Sequence, residues 1–151
     1  MNFIINTIPQ KASFTKMPAK TDIVKYGEYV ATAAACTECH TKQVKGEKVE
    51  GMDYAGGFEF AMPAGTLRSA NITPDKETGI GEWSKEMFIR KFKMYADSSY
   101  QSPKIAMGDY NTIMPWVMYA GMSEEDLGAL YEYLQTLKPI KNQVERFTAK
   151  K

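Results

Sequence analysis

The chain has 151 residues, of which 44% are apolar, and its 19 lysines and arginines nearly balance 18 aspartates and glutamates. This length predicts a single domain with a modest core that has room to enclose a cofactor. The near-neutral charge does not indicate nucleic-acid binding. No stretch is long and apolar enough to predict a membrane span.

The first 20 residues mix prolines, lysines and polar residues without a helical or strand period, which predicts an extended arm. Residues 1–9 contain a short apolar patch. They have neither the basic segment nor the small-residue cleavage site of a signal peptide.

The first helix is predicted to start at Thr21 or Asp22, either of which can cap it, and to run to about Ala35. Gly27 lies inside it and would let a neighbouring helix approach closely. The apolar stripe at helical spacing comprises Ile23, Tyr26, Val30 and Ala34.

Directly after this helix, residues 36–40 read Cys-Thr-Glu-Cys-His and use both cysteines and the only histidine of the chain. C-x-x-C-H is the attachment signature of a c-type haem. The thiols of Cys36 and Cys39 add to the two vinyl groups at one porphyrin edge, and the imidazole of His40 takes one axial site on the iron. A second histidine ligand does not exist here, so another residue type must supply the other axial ligand. Ten methionines are candidates.

Three other readings of the motif are weaker. A zinc site needs four ligands, and Cys36, Cys39 and His40 give three, so an Asp or Glu would have to complete it. A thioredoxin-like pair lies beside a βαβ pattern, whereas the residues before Cys36 are alanines. A disulfide would close a very tight loop and leave His40 without a role. The motif therefore favours covalent haem.

Residues 41–82 hold seven of the 11 glycines and predict long loops. A loop this long inside a compact domain usually has a function, and covering a flat, apolar porphyrin would be one. A mobile polar loop is the alternative. The apolar residues available for contact with a porphyrin are Phe58, Phe60, Met62 and Leu67.

Two further helices are predicted, separated by a second loop over residues 97–109. Ser84 caps the first of them, which runs to about Ala96 with Phe88, Phe92 and Tyr95 on one stripe. Ser123 begins a capping box with Asp126 at its fourth position, and Pro139 ends this last helix. Its buried stripe comprises Leu127, Leu130, Tyr131, Leu134 and Leu137. The remaining tail is basic, as is typical of a solvated segment.

A helix ending in C-x-x-C-H, a long loop, and a methionine before an amphipathic C-terminal helix together resemble a class I cytochrome c. Two segments narrow the resemblance to the cytochrome c subunits of periplasmic alcohol, aldehyde and gluconate dehydrogenases. They are SANITPD at 69–75 with TGIGEWS at 78–84, and MPW at 114–116 with Tyr119 and the MSEEDL of 122–127. The resemblance covers roughly residues 21–139, which predicts an arm at 1–20, a cytochrome c domain at 21–139 and a basic tail at 140–151.

The resemblance implies an all-α, cytochrome c-like fold, with three to five helices and long loops around one covalently attached haem c. It carries over Met114 as the distal ligand, opposite His40. The position of Met114 ahead of the last helix and the stiff Pro115 after it agree with this role. Met118 and Met122 are its rivals, although Met122 directly precedes a helix cap and is typical of a core contact.

Other site residues follow from general properties of haem ligands. The second ring N–H of His40 needs a carbonyl or carboxylate acceptor, which we expect between Phe58 and Pro74. Candidates to reach the haem propionates are Trp83, Trp116 and Arg68, each equally compatible with a packing or surface role.

A haem with His40 and Met114 as ligands has no open position, so the predicted function is one-electron transfer rather than catalysis. The expected partners are redox proteins, with a dehydrogenase or quinol-oxidising complex as donor and a terminal oxidase as acceptor. The alternative is a haem enzyme or gas or redox sensor with an open or labile distal site. We expect a periplasmic or otherwise exported protein, tethered to a membrane only through an unseen anchor or partner. Since no export signal is recognisable, we expect a mature, truncated or excised form.

Overall fold

The computed structural model describes residues 16–106 and 108–150, so most of the predicted arm lies outside the described residues. Its helices are α1 (Ile23–Ala33), α2 (Cys36–His40), α3 (Lys85–Lys93), α4 (Trp116–Tyr119) and α5 (Glu124–Thr136), and a 3-10 turn at Met94–Ala96 extends α3. Its strands are β1 (Gln43–Val44), β2 (Glu47–Lys48), β3 (Glu59–Met62), β4 (Gly65–Arg68) and β5 (Phe147–Ala149). Within the described ranges, no helix combines the length and apolarity needed to span a bilayer.

Helices α1 and α5 pack closely because α1 has a glycine where they meet. A Cβ atom on Gly27 would lie 2.0 Å from the carbonyl oxygen of Ala129, which confirms the predicted role of this glycine. The buried face of α1 comprises Tyr26, Gly27, Val30 and Ala31. The prediction that Ile23 belongs to this face is wrong, because its side chain is 41% exposed. As predicted, Asp22 caps the helix by accepting a hydrogen bond from the backbone N–H of Lys25.

The caps predicted for α3 and α5 are both present. The Ser84 side chain accepts a hydrogen bond from the N–H of Met87. Ser123 and Asp126 form a reciprocal capping box, in which each side chain accepts from the other's backbone N–H. The two helices bury a common apolar core, whose members on these elements are Phe88, Phe92, Leu127, Ala129, Leu130 and Leu134. This core fixes one side of the molecule.

The region between α2 and α3 contains strands as well as loops. Strand β1 pairs with β2, and β3 pairs with β4 in a hairpin that places Phe60 opposite Leu67. The term all-α is therefore loose, although the helical framework is as predicted. These strands are two to four residues long.

The C-terminal tail is largely exposed, as predicted, but residues 142–149, which we call the C-terminal strap, are also tied to the rest of the fold. Strand β5 of the strap pairs antiparallel with β4, with Leu67 opposite Phe147. Side chains of the 69–84 segment hold the chain where it enters the strap. The Asn71 side-chain amide donates to the carbonyl of Ile140 at 2.7 Å, and the backbone N–H of Asn142 donates to the Thr78 hydroxyl at 2.9 Å.

Candidate cofactor site

A cavity of about 530 Å³ lies where α2, α3, α4 and α5 meet strand β4 and the loops that flank these elements. All four residues predicted to bind a cofactor line it: Cys36, Cys39, His40 and Met114. Much of its wall is apolar, formed by residues that include Leu67, Ile72, Ile80, Phe88 and Phe92. Among the described lining residues none is Asp or Glu, whereas Arg68, Lys91 and Arg146 contribute positive charge. The cavity therefore suits a large apolar group that carries anionic substituents.

A break in the helix brings the cysteines to this cavity. Helix α1 ends at Ala33, two residues earlier than predicted, and Ala35 adopts a left-handed conformation with φ 53°. The chain then turns into the short helix α2, which carries the whole motif. Both cysteines are free thiols, Cys36 half-buried and Cys39 exposed. Burial raises the pKa of the Cys36 thiol to about 11, so this thiol is protonated at neutral pH.

His40 is held in one tautomer by the backbone. Its Nδ1 lies 2.8 Å from the carbonyl oxygen of Ala70, which can only accept, so Nδ1 carries the proton. Burial lowers the pKa of His40, which favours the neutral imidazole and leaves Nε2 with a free lone pair for a metal. Ala70 lies between Phe58 and Pro74, which confirms the predicted location of the acceptor.

A glycine lets the acceptor for His40 come close. Gly56 has φ 76°, and a Cβ atom there would lie 2.4 Å from the carbonyl carbon of Ala70. The N–H of Gly56 also donates to the carbonyl of His40 at 2.7 Å. Next to His40, the fully buried Thr41 accepts a hydrogen bond from the N–H of Tyr54 at 3.1 Å. Backbone contacts thus fix both the main chain and the ring of His40.

Met114 reaches the same cavity from the loop before α4. The hydroxyl oxygen of Thr112 accepts hydrogen bonds from the Met114 backbone N–H at 3.1 Å and from the Trp116 indole N–H at 3.3 Å. The Trp116 ring stacks on Tyr95, with 5.1 Å between centroids and 9° between planes. The ammonium of Lys91 lies 5.2 Å from the Trp116 centroid. Side-chain contacts therefore hold the loop that carries Met114.

The two rival methionines do not line the cavity. Met118 is on α4 and its side chain is 79% exposed. Met122 packs against the apolar core, as expected of a residue before a cap, and its carbonyl accepts a hydrogen bond from the Lys93 ammonium. Of the three candidates, Met114 alone is positioned beside the cavity that His40 lines.

Some of the remaining predicted residues line the cavity and others do not. Phe60 and Leu67 line the cavity, whereas Phe58 and Met62 do not, and Met62 is 42% exposed. Of the four apolar residues named as available for contact with a porphyrin, two therefore lie beside the cavity. The three candidates for the propionates, Trp83, Trp116 and Arg68, all line the cavity, and their role toward a propionate stays a prediction.

Sequence reasoning missed three cavity residues that the fold brings in from a distance. The hydroxyl of Tyr119 donates to the carbonyl of Ala34 at 2.8 Å and ties α4 to the end of α1. Tyr110 and Arg146 line the cavity and contact each other. Tyr119 stands out in the sequence beside the MPW segment, but nothing in the sequence near Arg146 connects it with a cavity.

The donor set of the cavity fits haem c better than a zinc ion. Within residues 16–106 and 108–150, no three His, Cys, Asp or Glu side chains converge to hold a metal ion. Two thiols, a neutral imidazole and a thioether beside an apolar cavity are the groups that attach and ligate a haem.

Comparison with known proteins identifies the family. A family model described as cytochrome c matches residues 24–138. The chain belongs to the cytochrome c family. Covalently bound haem c is the cofactor of this family, and the predicted resemblance and the cytochrome c-like fold are both confirmed.

Several curated relatives of this cytochrome c are cytochrome subunits of dehydrogenases. The chain is 40% identical over 119 residues to the gluconate 2-dehydrogenase cytochrome c subunit of Pantoea cypripedii, a match that covers 76% of the chain and 23% of the relative. It is 35% identical to the cytochrome c subunit of the quinone alcohol dehydrogenase of Gluconobacter oxydans, covering 78% and 22% respectively. For the fructose dehydrogenase cytochrome subunit of Gluconobacter japonicus the identity is 32%, covering 89% and 26%. The chain thus spans about a quarter of the length of these relatives.

Proposed function

We propose that this chain is a one-electron carrier that holds a single haem c. Cys36 and Cys39 form its thioether bonds, and His40 and Met114 ligate its iron. The observation that carries this proposal is that the four side chains line one apolar cavity. When bound, haem c supplies a reversible one-electron couple.

The ligand set accounts for transfer rather than catalysis. The carbonyl of Ala70 accepts the Nδ1 proton of His40, so Nε2 keeps its lone pair and the ring orientation is fixed. Met114 contributes a soft thioether, which stabilises ferrous iron relative to a second imidazole. With His40 and Met114 both ligating the iron, no position would be open to oxygen or peroxide, and the role of these residues would be to hold the same ligand set in both oxidation states.

The motif count supports the proposal of a single haem. Residues 36–40 are the only C-x-x-C-H in these 151 residues and use both cysteines. A second covalent haem would need thiols that this sequence does not contain.

The names of the relatives support a place between redox proteins. We infer a dehydrogenase or quinol-oxidising complex as donor, a terminal oxidase as acceptor, and an exported, periplasmic location. Two of the three lysines of α3 are engaged in contacts within the fold. Lys85 pairs with Glu132 at 3.0 Å, and Lys93 donates to the carbonyls of Ala120 and Met122.

The test is an optical spectrum of the purified protein from a host that matures c-type haem. We expect colour that survives acid-acetone extraction, one haem per chain, sharp reduced α and β bands, and a weak far-red sulfur-to-iron band when oxidised. A high-spin spectrum that shifts with carbon monoxide would contradict the carrier and favour the enzyme or sensor. A colourless protein would contradict haem binding altogether.

A further inference from the structure

The C-terminal strap, residues 142–149, lies outside the part of the chain that matches the cytochrome c family, which ends at residue 138. It nevertheless forms part of the cavity wall. Strand β5 extends the β3–β4 hairpin, and the backbone N–H of Arg68 donates to the carbonyl of Arg146 at 2.9 Å. This pairing places the Arg146 side chain at the cavity.

Arg146 connects the two walls of the cavity. Its Nε donates to the carbonyl of Arg68 at 3.2 Å, and its Nη2 donates to the hydroxyl of Tyr110 at 3.0 Å. The guanidinium carbon also lies 5.8 Å from the centroid of the Tyr110 ring. Tyr110 is four residues before Met114, whereas Arg68 is two residues before Ala70, which fixes His40. One side chain therefore bridges the segments that carry the two proposed axial contacts.

The three cations of the cavity wall differ in what they already bind. Arg68 pairs with Glu59 at 2.8 Å and with Glu145 at 3.6 Å. The Lys91 ammonium lies over the Trp116 ring. Arg146 forms no ion pair with an acidic residue in the described part of the chain. It is exposed at the edge of a cavity that no described Asp or Glu lines.

We propose that Arg146, held by Tyr110, binds a carboxylate of the haem, so that the strap is a working part of the cofactor site. The inference rests on the proposed function, since it takes haem c as the occupant. A guanidinium presents paired N–H donors that match the two oxygens of a carboxylate. In Arg146, Nε and Nη2 donate to a carbonyl and a hydroxyl, both neutral, so its charge is not compensated by an acidic side chain of the described ranges. The strap thus adds a third cation to the two, Arg68 and Lys91, that the family-matched segment places at the cavity.

This charge has a measurable consequence. A cation near the haem disfavours the more positive ferric state and raises the reduction potential. Arg146→Gln in the haem-loaded protein should therefore lower the reduction potential. We expect the redox equilibrium constant to change several-fold, where a tenfold change corresponds to about 59 mV for one electron. Lys150→Gln is the matched control, because it removes the same charge from the same tail at a residue that does not line the cavity.

The experiment compares these variants by spectroelectrochemical titration. Arg146→Lys, which keeps the charge, should retain most of the wild-type potential, and Lys150→Gln should retain nearly all of it. Equal potentials for Arg146→Gln and Lys150→Gln would overturn the proposal. Should Arg146→Gln not retain haem, Tyr110→Phe carries the test: a potential below that of the wild type supports the proposal, and an unchanged one contradicts it.

Failure of the proposed function would show separately, in the wild type. A wild-type protein without covalent haem or without a far-red band removes the basis for the site. If the wild type has both features but Arg146→Gln has the same reduction potential, only the inference about the strap is removed.

Discussion

The His40 wall of the cavity is held mainly by the backbone, whereas the Met114 wall is held by side chains. His40 contacts the carbonyl of Ala70 through its ring and the N–H of Gly56 through its carbonyl. Met114 depends instead on the Thr112 hydroxyl and on the stacked ring of Trp116 beside it. Backbone groups have no side-chain rotamers to change, whereas the Thr112 and Trp116 side chains do. The His40 wall therefore has fewer alternative arrangements than the Met114 wall.

The two walls also differ in exposure. Thr41 is fully buried next to His40, and Ala55 beside Gly56 is fully buried too. After Met114, Val117 and Met118 on α4 are 69% and 79% exposed. Regions with few buried apolar contacts open at the lowest free energy. If Met114 ligates the iron as proposed, we therefore expect the iron–Met114 bond to be the one that breaks first under stress, and the contacts of His40 to persist.

The largest effect should come from His40→Ala, which removes the only histidine. The variant should lose the normal low-spin spectrum, because no other imidazole can take its place. Added imidazole should restore part of it by entering the space left beside Ala70. A low-spin spectrum unchanged without imidazole would reject His40 as the ligand.

Gly56→Ala tests how firmly the His40 wall is built. The new Cβ would meet the backbone of Ala70 in a residue with φ 76°, and we expect a loss of about 3 kcal/mol in the free energy of unfolding. Gly46→Ala is the matched control, because φ is 85° and nothing lies within 4 Å. It should cost only the backbone strain, about 1 kcal/mol.

Urea unfolding of the haem-loaded protein, followed by circular dichroism, measures both glycine variants. Equal losses for Gly56→Ala and Gly46→Ala would show that close packing on Ala70 does not stabilise this wall.

Thr112→Val tests the Met114 wall. It removes the acceptor shared by the Met114 and Trp116 N–H groups while keeping the side-chain shape, at a cost of about 1 kcal/mol. When the pH is raised, the midpoint at which the far-red band disappears should then be lower than in the wild type, by about half to one pH unit. Thr112→Ser keeps the hydroxyl and should behave like the wild type. A band that disappears at the same pH in Thr112→Val would show that the shared acceptor does not hold Met114.

Tyr26→Phe should change stability without changing either wall. The Tyr26 hydroxyl donates to Asp126 at 2.6 Å, and this hydrogen bond is the main reason that the pKa of Asp126 is lowered. The stabilisation is fully present above the unfolded-state pKa of Asp, about 3.9, and is lost as pH falls through the lower folded-state pKa. The variant should lose about 1 kcal/mol at neutral pH.

Urea unfolding at neutral and acid pH checks this, and the difference between wild type and Tyr26→Phe should narrow in acid. A constant difference would exclude the ionised Asp126 as its cause. The far-red band should be the same in both proteins, since neither Tyr26 nor Asp126 lines the cavity.

Much of the helical framework could be predicted from the sequence because helices show a regular apolar spacing and begin at recognisable capping residues. Asp22, Ser84 and Ser123 mark three helix starts, and apolar spacing marks the buried faces. Ile23 was misassigned because it lies in the first turn, where helical spacing alone does not say which residues the partner helix covers. The motif at 36–40 was clear because no other cysteine or histidine competes with it.

What the sequence left hidden depends on pairings between distant segments. The strands are two to four residues long, too short to show an alternating pattern. Leu67 and Phe147 face each other across 80 residues of chain, and only the folded hairpin gives the strap a partner. For the same reason Arg146 reads as one charge in a basic tail until the fold places it beside Tyr110.

We propose that Met114 completes the ligand set opposite His40, and one paired measurement tests this assignment most directly. The far-red band and the reduction potential are recorded for wild type, Met114→Ala and Met118→Ala. We expect Met114→Ala to lose the band, to become high-spin or bind carbon monoxide, and to fall in potential, because a thioether stabilises ferrous iron. Met118→Ala should match the wild type. The reverse pattern, with the larger effect at Met118, would contradict the assignment.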